Sequence, residues 1–177
     1  MTDTAVAGDY GMLTEPATLK IQRLLPGPLE RVWNYLTDDR LRATWLAAGP
    51  MTLEKDAAFT LTWRNDNLSK SPAQRPDGFP EEHSMDSRIL EVHAPYRLIF
   101  TWGERGEVCF DLEEQDGKVL LTVVHKRISD RANTVMIGAG WHRHLEVLAD
   151  RLDGREPDTF WAGWLKLRAE YDQRLPA

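Results

Sequence analysis

The sequence predicts an α+β fold in which one antiparallel sheet packs on a single long helix. Three observations carry that reading. Runs of apolar residues alternate with polar ones through the middle of the chain, which is the period of half-buried strands. The strongest turn signal, Asp116-Gly117, joins two such runs as a hairpin. After residue 127 the apolar spacing changes to three and four, the period of a helix. With 177 residues, of which 42% are hydrophobic, the chain supports one domain with a substantial core.

The first 17 residues are small and polar, with Gly8, Gly11 and Pro16, and read as a flexible tail. Residues 18–25 alternate, with Leu19, Ile21, Arg23 and Leu25 on one face of a strand. Pro26-Gly27-Pro28 ends it. Leu29, Val32, Trp33 and Leu36 then recur at helical spacing, so residues 28–37 form a short helix opened by Pro28. Asp38 or Asp39 caps a second short helix reaching about Trp45 or Leu46.

Residues 51–54 and 59–65 read as a hairpin, with Phe59, Leu61 and Trp63 sharing a face. The stretch 65–81 is polar and contains Pro72, Pro76, Gly78 and Pro80. A loop of that length inside one domain marks a functional lid or a mobile insertion. Strands follow over 83–92 and 96–102, the second aligning Tyr96, Leu98, Phe100 and Trp102. If Asp116-Gly117 is a two-residue loop, Leu112 opposes Leu121, Phe110 opposes Val123 and Val108 opposes His125. His125 then faces the core, and Cys109 points away from it. A symmetric four-residue turn over 103–106 would set Trp102 on the polar face, so an odd-length turn or a glycine bulge is expected there.

Ser129 or Asp130 caps the long helix, which runs to about Leu152 and stops at Gly154. Trp141, Leu145, Leu148 and Leu152 form its apolar stripe. Gly138 and Gly140 each cost about 1 kcal/mol against alanine in a helix interior, which makes sense where something approaches the helix closely. A further helix over 159–175 carries Phe160, Trp164, Leu167 and Tyr171 on one face, with Trp161 beside them. That face either docks the helix on the body or forms a homodimer interface.

Composition removes several functions. A net charge of −6 and a pI near 5.4 disfavour nucleic acid and anionic membrane surfaces. One cysteine, Cys109, excludes an internal disulfide and any multi-thiolate metal site. His142 and His144 lie two apart on a helix and so point to different sides, which favours a solvated or core-edge role over a metal pair. No run is long and apolar enough to insert in a membrane. The opening residues lack the basic and apolar regions of a signal peptide, so the expected compartment is the cytoplasm. No G-x-S-x-G, P-loop or H-E-x-x-H stands in the sequence, and no catalytic residue, cofactor or metal is assigned.

What remains is the tryptophan content: seven, against five phenylalanines and four tyrosines. A bent sheet around a helix leaves a space near the helix's N-terminal half. Trp63, Met85, Phe100, Trp102, Phe110, Met136 and Trp141 are the candidate walls of that space. His125 is either a core-edge histidine satisfied by backbone or a polar anchor for a ligand. Arg23 is a second candidate anchor, or it extends its charge to water at the strand end.

The stretch LLPGPLERVWNYLTD (24–38), the segments RILEV (88–92) and RLIFTWG (97–103), and the late Gly140-Trp141, Leu145 and Leu148 resemble a known family. It is the C-terminal-domain family of the activator of heat-shock-protein-ninety ATPase, within the START-like or SRPBCC helix-grip superfamily. The resemblance covers residues 18–153, and it leaves 154–177 as an additional helix. It implies a curved antiparallel sheet of six to seven strands around a long C-terminal helix, two short helices after the first strand, and an internal pocket for apolar ligands. The expected function is binding of a small hydrophobic or amphipathic molecule without turnover. The alternatives are a protein-interaction module with a chaperone partner, as the family name implies, and a START-like enzyme such as a cyclase or hydratase. Such an enzyme would need His125 and a second polar group within hydrogen-bond reach.

Overall fold

The computed structural model describes residues 10–69 and 75–175. Within them, alternation in the sequence becomes seven strands of one antiparallel sheet. These are β1 (Met12–Glu15), β2 (Thr18–Pro26), β3 (Ala58–Trp63), β4 (His83–His93), β5 (Arg97–Trp102), β6 (Gly106–Gln115) and β7 (Lys118–Lys126). The helices are α1 (Leu29–Thr37), α2 (Asp39–Ala43), α3 (Arg131–Leu152) and α4 (Phe160–Arg174). The strands lie in the order β1-β2-β7-β6-β5-β4-β3, so β2 crosses over to meet the last strand of the meander.

The last hairpin has the expected register. Leu112 pairs with Leu121, Phe110 with Val123 and Val108 with His125. Asp116 and Gly117 both have positive φ, 51° and 80°, as a type I′ turn requires. Trp102 pairs with Gly106, which leaves the odd-length turn 103–105 and keeps Trp102 on the inward face. On the far side of β7, Leu19 pairs with His125 and Ile21 with Val123.

α3 lies across the concave face. The Asp130 carboxylate accepts from the Asn133 backbone N–H at 2.8 Å and opens the helix, and Gly154 at φ 72° ends it. Trp141, Leu145, Leu148 and Leu152 are all buried against the sheet, and burying each leucine contributes roughly 2 kcal/mol. Gly138 is the close approach the sequence implied: a Cβ there would stand 3.1 Å from the Tyr171 ring of α4. In α2 the buried Arg42 guanidinium donates to the Ala47 and Thr37 carbonyl oxygens at 3.1 and 3.2 Å and to that of Gly49. Those bonds organise the irregular chain before β3.

Two expectations are corrected, and one is refined. The N-terminal stretch is not loose throughout: Met12–Glu15 pairs with β2, and the Gly11 N–H donates to the Tyr171 hydroxyl at 2.7 Å. The rest of the expected tail, residues 1–9, lies outside the described residues. Residues 51–54 form no strand; β3 pairs with β4 on one side, and its outer edge is met by an isolated bridge, Ala48 to Thr62. Cys109 points away from the concave face yet is buried at 7% exposure, under the pair Arg97–Asp111 at 2.7 Å.

Candidate ligand-binding cavity

Between the open end of the sheet and the first half of α3 is a cavity of about 530 Å³. Each contributing element brings its residues at its own period. The sheet supplies Trp63 and Trp102, the last residues of β3 and β5, together with Met85 of β4. All are inward positions, since Leu61 pairs with Met85 and Trp102 continues the Leu98, Phe100 face. α3 supplies Asn133, Met136, Ile137, Gly140, Trp141 and His144, which is one helical face read at spacings of three and one. A Cβ on Gly140 would meet nothing within 4 Å, so this glycine leaves the helix wall bare where it faces the cavity.

α4 closes the space with Phe160, Trp161 and Trp164. The segment 78–81 crosses its mouth, and Phe79 sits edge-on to Trp161 and Trp164 with ring centroids 5.6 and 5.2 Å away. The start of α4 is fixed from α3. Arg143 donates to the carbonyl oxygens of Asp158 and Phe160 at 2.9 and 3.1 Å. The Trp161 indole N–H donates to Asp66 at 2.7 Å, in the 3-10 turn Asn65–Leu68. The stretch 65–81 is therefore partly a wall and partly a cover. Its residues 70–74 lie outside the described residues.

The aromatic rings form a continuous series from core to cavity. Phe100 meets Phe110 at 5.4 Å, Phe110 meets Trp141 at 5.7 Å, Trp141 meets Trp102 at 5.5 Å and Trp102 meets Trp63 at 5.3 Å. All are tilted or edge-to-face, the favourable arrangement of aromatic quadrupoles.

Of the residues singled out in the sequence, Trp63, Met85, Trp102, Met136 and Trp141 line the cavity. Phe100 and Phe110 lie beneath it as core. His125 does not line the cavity. It is 1% exposed, and its Nδ1 accepts from the Trp141 indole N–H at 3.0 Å, a side-chain partner where backbone was expected. Burial holds its pKa down at about 4. Arg23 is buried at 2% and borders a separate polar groove with Tyr10, His142 and Arg143, on another side of α3. Its NH1 donates to the Gln22 carbonyl at 2.7 Å.

Sequence reasoning missed several walls. The α4 aromatics were expected to dock that helix or to form a dimer face. Phe160, Trp161, Trp164 and Tyr171 are all buried within the single chain, where α4 packs on α3, and the first three line the cavity as well. His144 was read as solvated or core-edge, and it is both buried and a lining residue. Its Nδ1 lies 2.8 Å from the Trp45 carbonyl oxygen, and desolvation lowers its pKa to about 4. Its recurrence at i+4 from Gly140 and i+3 from Trp141 was the signal available. His142 turns the other way, to the Tyr171 hydroxyl at 2.9 Å. Among the described residues no group of His, Cys, Asp or Glu is placed to hold a metal ion, and no helix is long and apolar enough to cross a membrane.

A curved seven-stranded sheet wrapped around a long helix, with an aromatic cavity between them, defines a helix-grip domain of the SRPBCC type. Residues 26–153 match the family described as Activator of Hsp90 ATPase homolog 1-like protein, and the chain belongs to it. A Bordetella parapertussis protein solved by NMR is similar over the whole of this chain and 97% of its own, at 33% identity and a TM-score of 0.79. CalU16 from Micromonospora echinospora shares the fold at 21% identity over 94% of this chain and 92% of its own, TM-score 0.66. DynU16, from the dynemicin biosynthetic locus, shares it at 20% identity over 79% of this chain and 49% of its own, TM-score 0.64. No curated protein matches the sequence.

Proposed function

We propose that the protein binds a small apolar or amphipathic molecule in the cavity between sheet and α3, without turning it over, in the cytoplasm. The observation that carries this reading is the composition of the wall. Five tryptophans, two phenylalanines and two methionines surround about 530 Å³ with few polar groups among them. That volume and lining suit a drug-sized ligand. Membership of the family supports the same reading at the level of fold. Native mass spectrometry and thermal shift against a panel of lipids and aromatic metabolites test it. A retained, chemically unchanged ligand that raises Tm is the expected result. No retained mass and no shift across the panel would remove the reading.

The family's description favours one further reading, a protein-interaction module with a chaperone partner. Pull-down with a purified bacterial chaperone tests it, and absence of enrichment counts against it.

A further inference from the structure

We infer that the cavity selects an organic cation, an aromatic or alkyl amine protonated at neutral pH, over neutral and anionic molecules of the same shape. This rests on the binding reading above and adds a charge to the ligand. Three features of the wall lead to it.

The first is the sign of the lining. Among the described residues, no Lys or Arg lines the cavity; Glu81 is its one carboxylate, and its other ionisable side chains are His83 and His144. The nearby guanidinium groups are engaged elsewhere. Arg75 pairs with Asp66, Arg143 holds the carbonyls at the start of α4, and Arg168 covers Trp164 with its carbon 5.2 Å from the ring centroid. None of the three is a lining residue.

The second is the tryptophan surface. An indole face is the negative side of its quadrupole and attracts a cation within about 6 Å of the ring centroid, most strongly where water is excluded. Trp141 and Trp161 commit their N–H groups to His125 and Asp66, so what they offer the cavity is ring surface.

The third is the excess of acceptors. Asn65 lines the cavity, and its Oδ1 is buried without a hydrogen-bond partner. The Trp45 carbonyl can only accept, so His144 Nδ1 carries the proton and Nε2 keeps its lone pair. With its pKa near 4, this ring stays neutral and accepting at pH 7. A ligand N–H satisfies such acceptors. A carboxylate or phosphate would bring further negative charge beside Glu81 with no countercharge on the wall, which is the unfavourable case for a desolvated anion.

Isothermal titration of the full chain at pH 7 with three naphthalene probes separates the alternatives: 2-(1-naphthyl)ethylamine, neutral 1-naphthylacetamide and 1-naphthylacetate. The expected result is an affinity at least tenfold higher for the amine than for the carboxylate, with the amide between them. Glu81→Gln, at an exposed position, should narrow that ratio about threefold. Equal affinity for all three, or tighter binding of the amide or the carboxylate, overturns the charge selection and leaves the cavity reading standing. No heat from any of the three overturns the charge selection, and if the panel also gives no retained mass and no thermal shift, both readings fall.

Discussion

The indole N–H of Trp141 donates to Nδ1 of His125 at 3.0 Å, joining the long helix to the last strand beneath the cavity floor. Both groups are buried, so each is the other's means of satisfying a polar atom away from water. Trp141→Phe should leave the His125 acceptor unpaired and destabilise the fold by about 1–3 kcal/mol. Adding His125→Leu removes the orphaned group and should recover part of that loss. Urea denaturation of the four-member cycle measures the coupling, and strictly additive losses would sink the pairing as a stabilising bond.

Two histidines make the fold sensitive to mild acid. His125 and His144 both have pKa values near 4 because burial disfavours the imidazolium, and both return to about 6.5 on unfolding. Between these values the unfolded chain binds more protons than the native one. Stability is therefore full above pH 6.5 and falls as the pH drops towards 4. Each contributes a loss of about 2 kcal/mol between pH 6.5 and 5, a window mostly above carboxylate titration. Denaturation midpoints across that window should fall steadily. His144→Gln should halve the slope, and a flat profile in the native chain would contradict the burial argument.

The two glycines of α3 should respond with opposite signs. Gly138→Ala gains helix propensity of about 1 kcal/mol but drives a methyl into the buried Tyr171 ring at 3.1 Å, a net destabilisation of about 1–2 kcal/mol. Gly140→Ala meets open space and should raise stability by up to about 1 kcal/mol, while projecting into the ligand volume. Melting temperatures of both variants check this, and a shared sign would mean the helix is displaced from its described position.

Phe79 holds the cover of the cavity by its contacts with Trp161 and Trp164. Phe79→Ala should cost little in global stability, because the segment is not part of the sheet. It should red-shift tryptophan emission as water reaches the two indoles, and weaken ligand affinity about tenfold, in keeping with the loss of roughly 1.4 kcal/mol of aromatic contact. Unchanged emission would show that the segment does not exclude water.

Cys109 should be unreactive in the native state. Burial and the neighbouring Asp111 carboxylate push its thiol up to about 12, which leaves a negligible thiolate fraction at neutral pH. Labelling by a chromogenic disulfide reagent should be slow in buffer and immediate in denaturant. Equal rates would place the thiol at the surface.

Legibility in the sequence followed the range of the interaction. The hairpin of β6 and β7 could be read residue by residue because period-two alternation and one turn dipeptide fix its register. The limits of α3 were equally local, a cap at Asp130 and a stop at Gly154. The cavity was half readable. Strand and helix periods placed Trp63, Trp102 and Trp141 on inward faces, whereas nothing local announces that Trp161 and Trp164, beyond the end of the stripe at Leu152, return to the same space. The polar interior was the least legible. His144, Arg42 and Arg143 look like ordinary polar residues until the carbonyls that satisfy them are in place, and for His144 that partner is Trp45; for His125 the register gave the face but not the indole that satisfies it. Residues 51–54 failed for the converse reason: alternation over four residues makes a strand only where a partner meets it, and the open outer edge of β3 is met at a single bridge, by Ala48.

The crossover of β2 has a consequence for how the protein is made. Its second neighbour is β7, with Leu19 opposite His125, so one row of β2 amides and carbonyls has no native partner until residue 126 has left the ribosome. Throughout that interval an alternating strand carrying Leu19, Ile21, Leu24 and Leu25 presents an open edge, the state most prone to mispairing with another chain. The sheet is thus closed from its middle and late, and the yield of native protein should depend more on the rate and crowding of synthesis than on the stability of the finished fold.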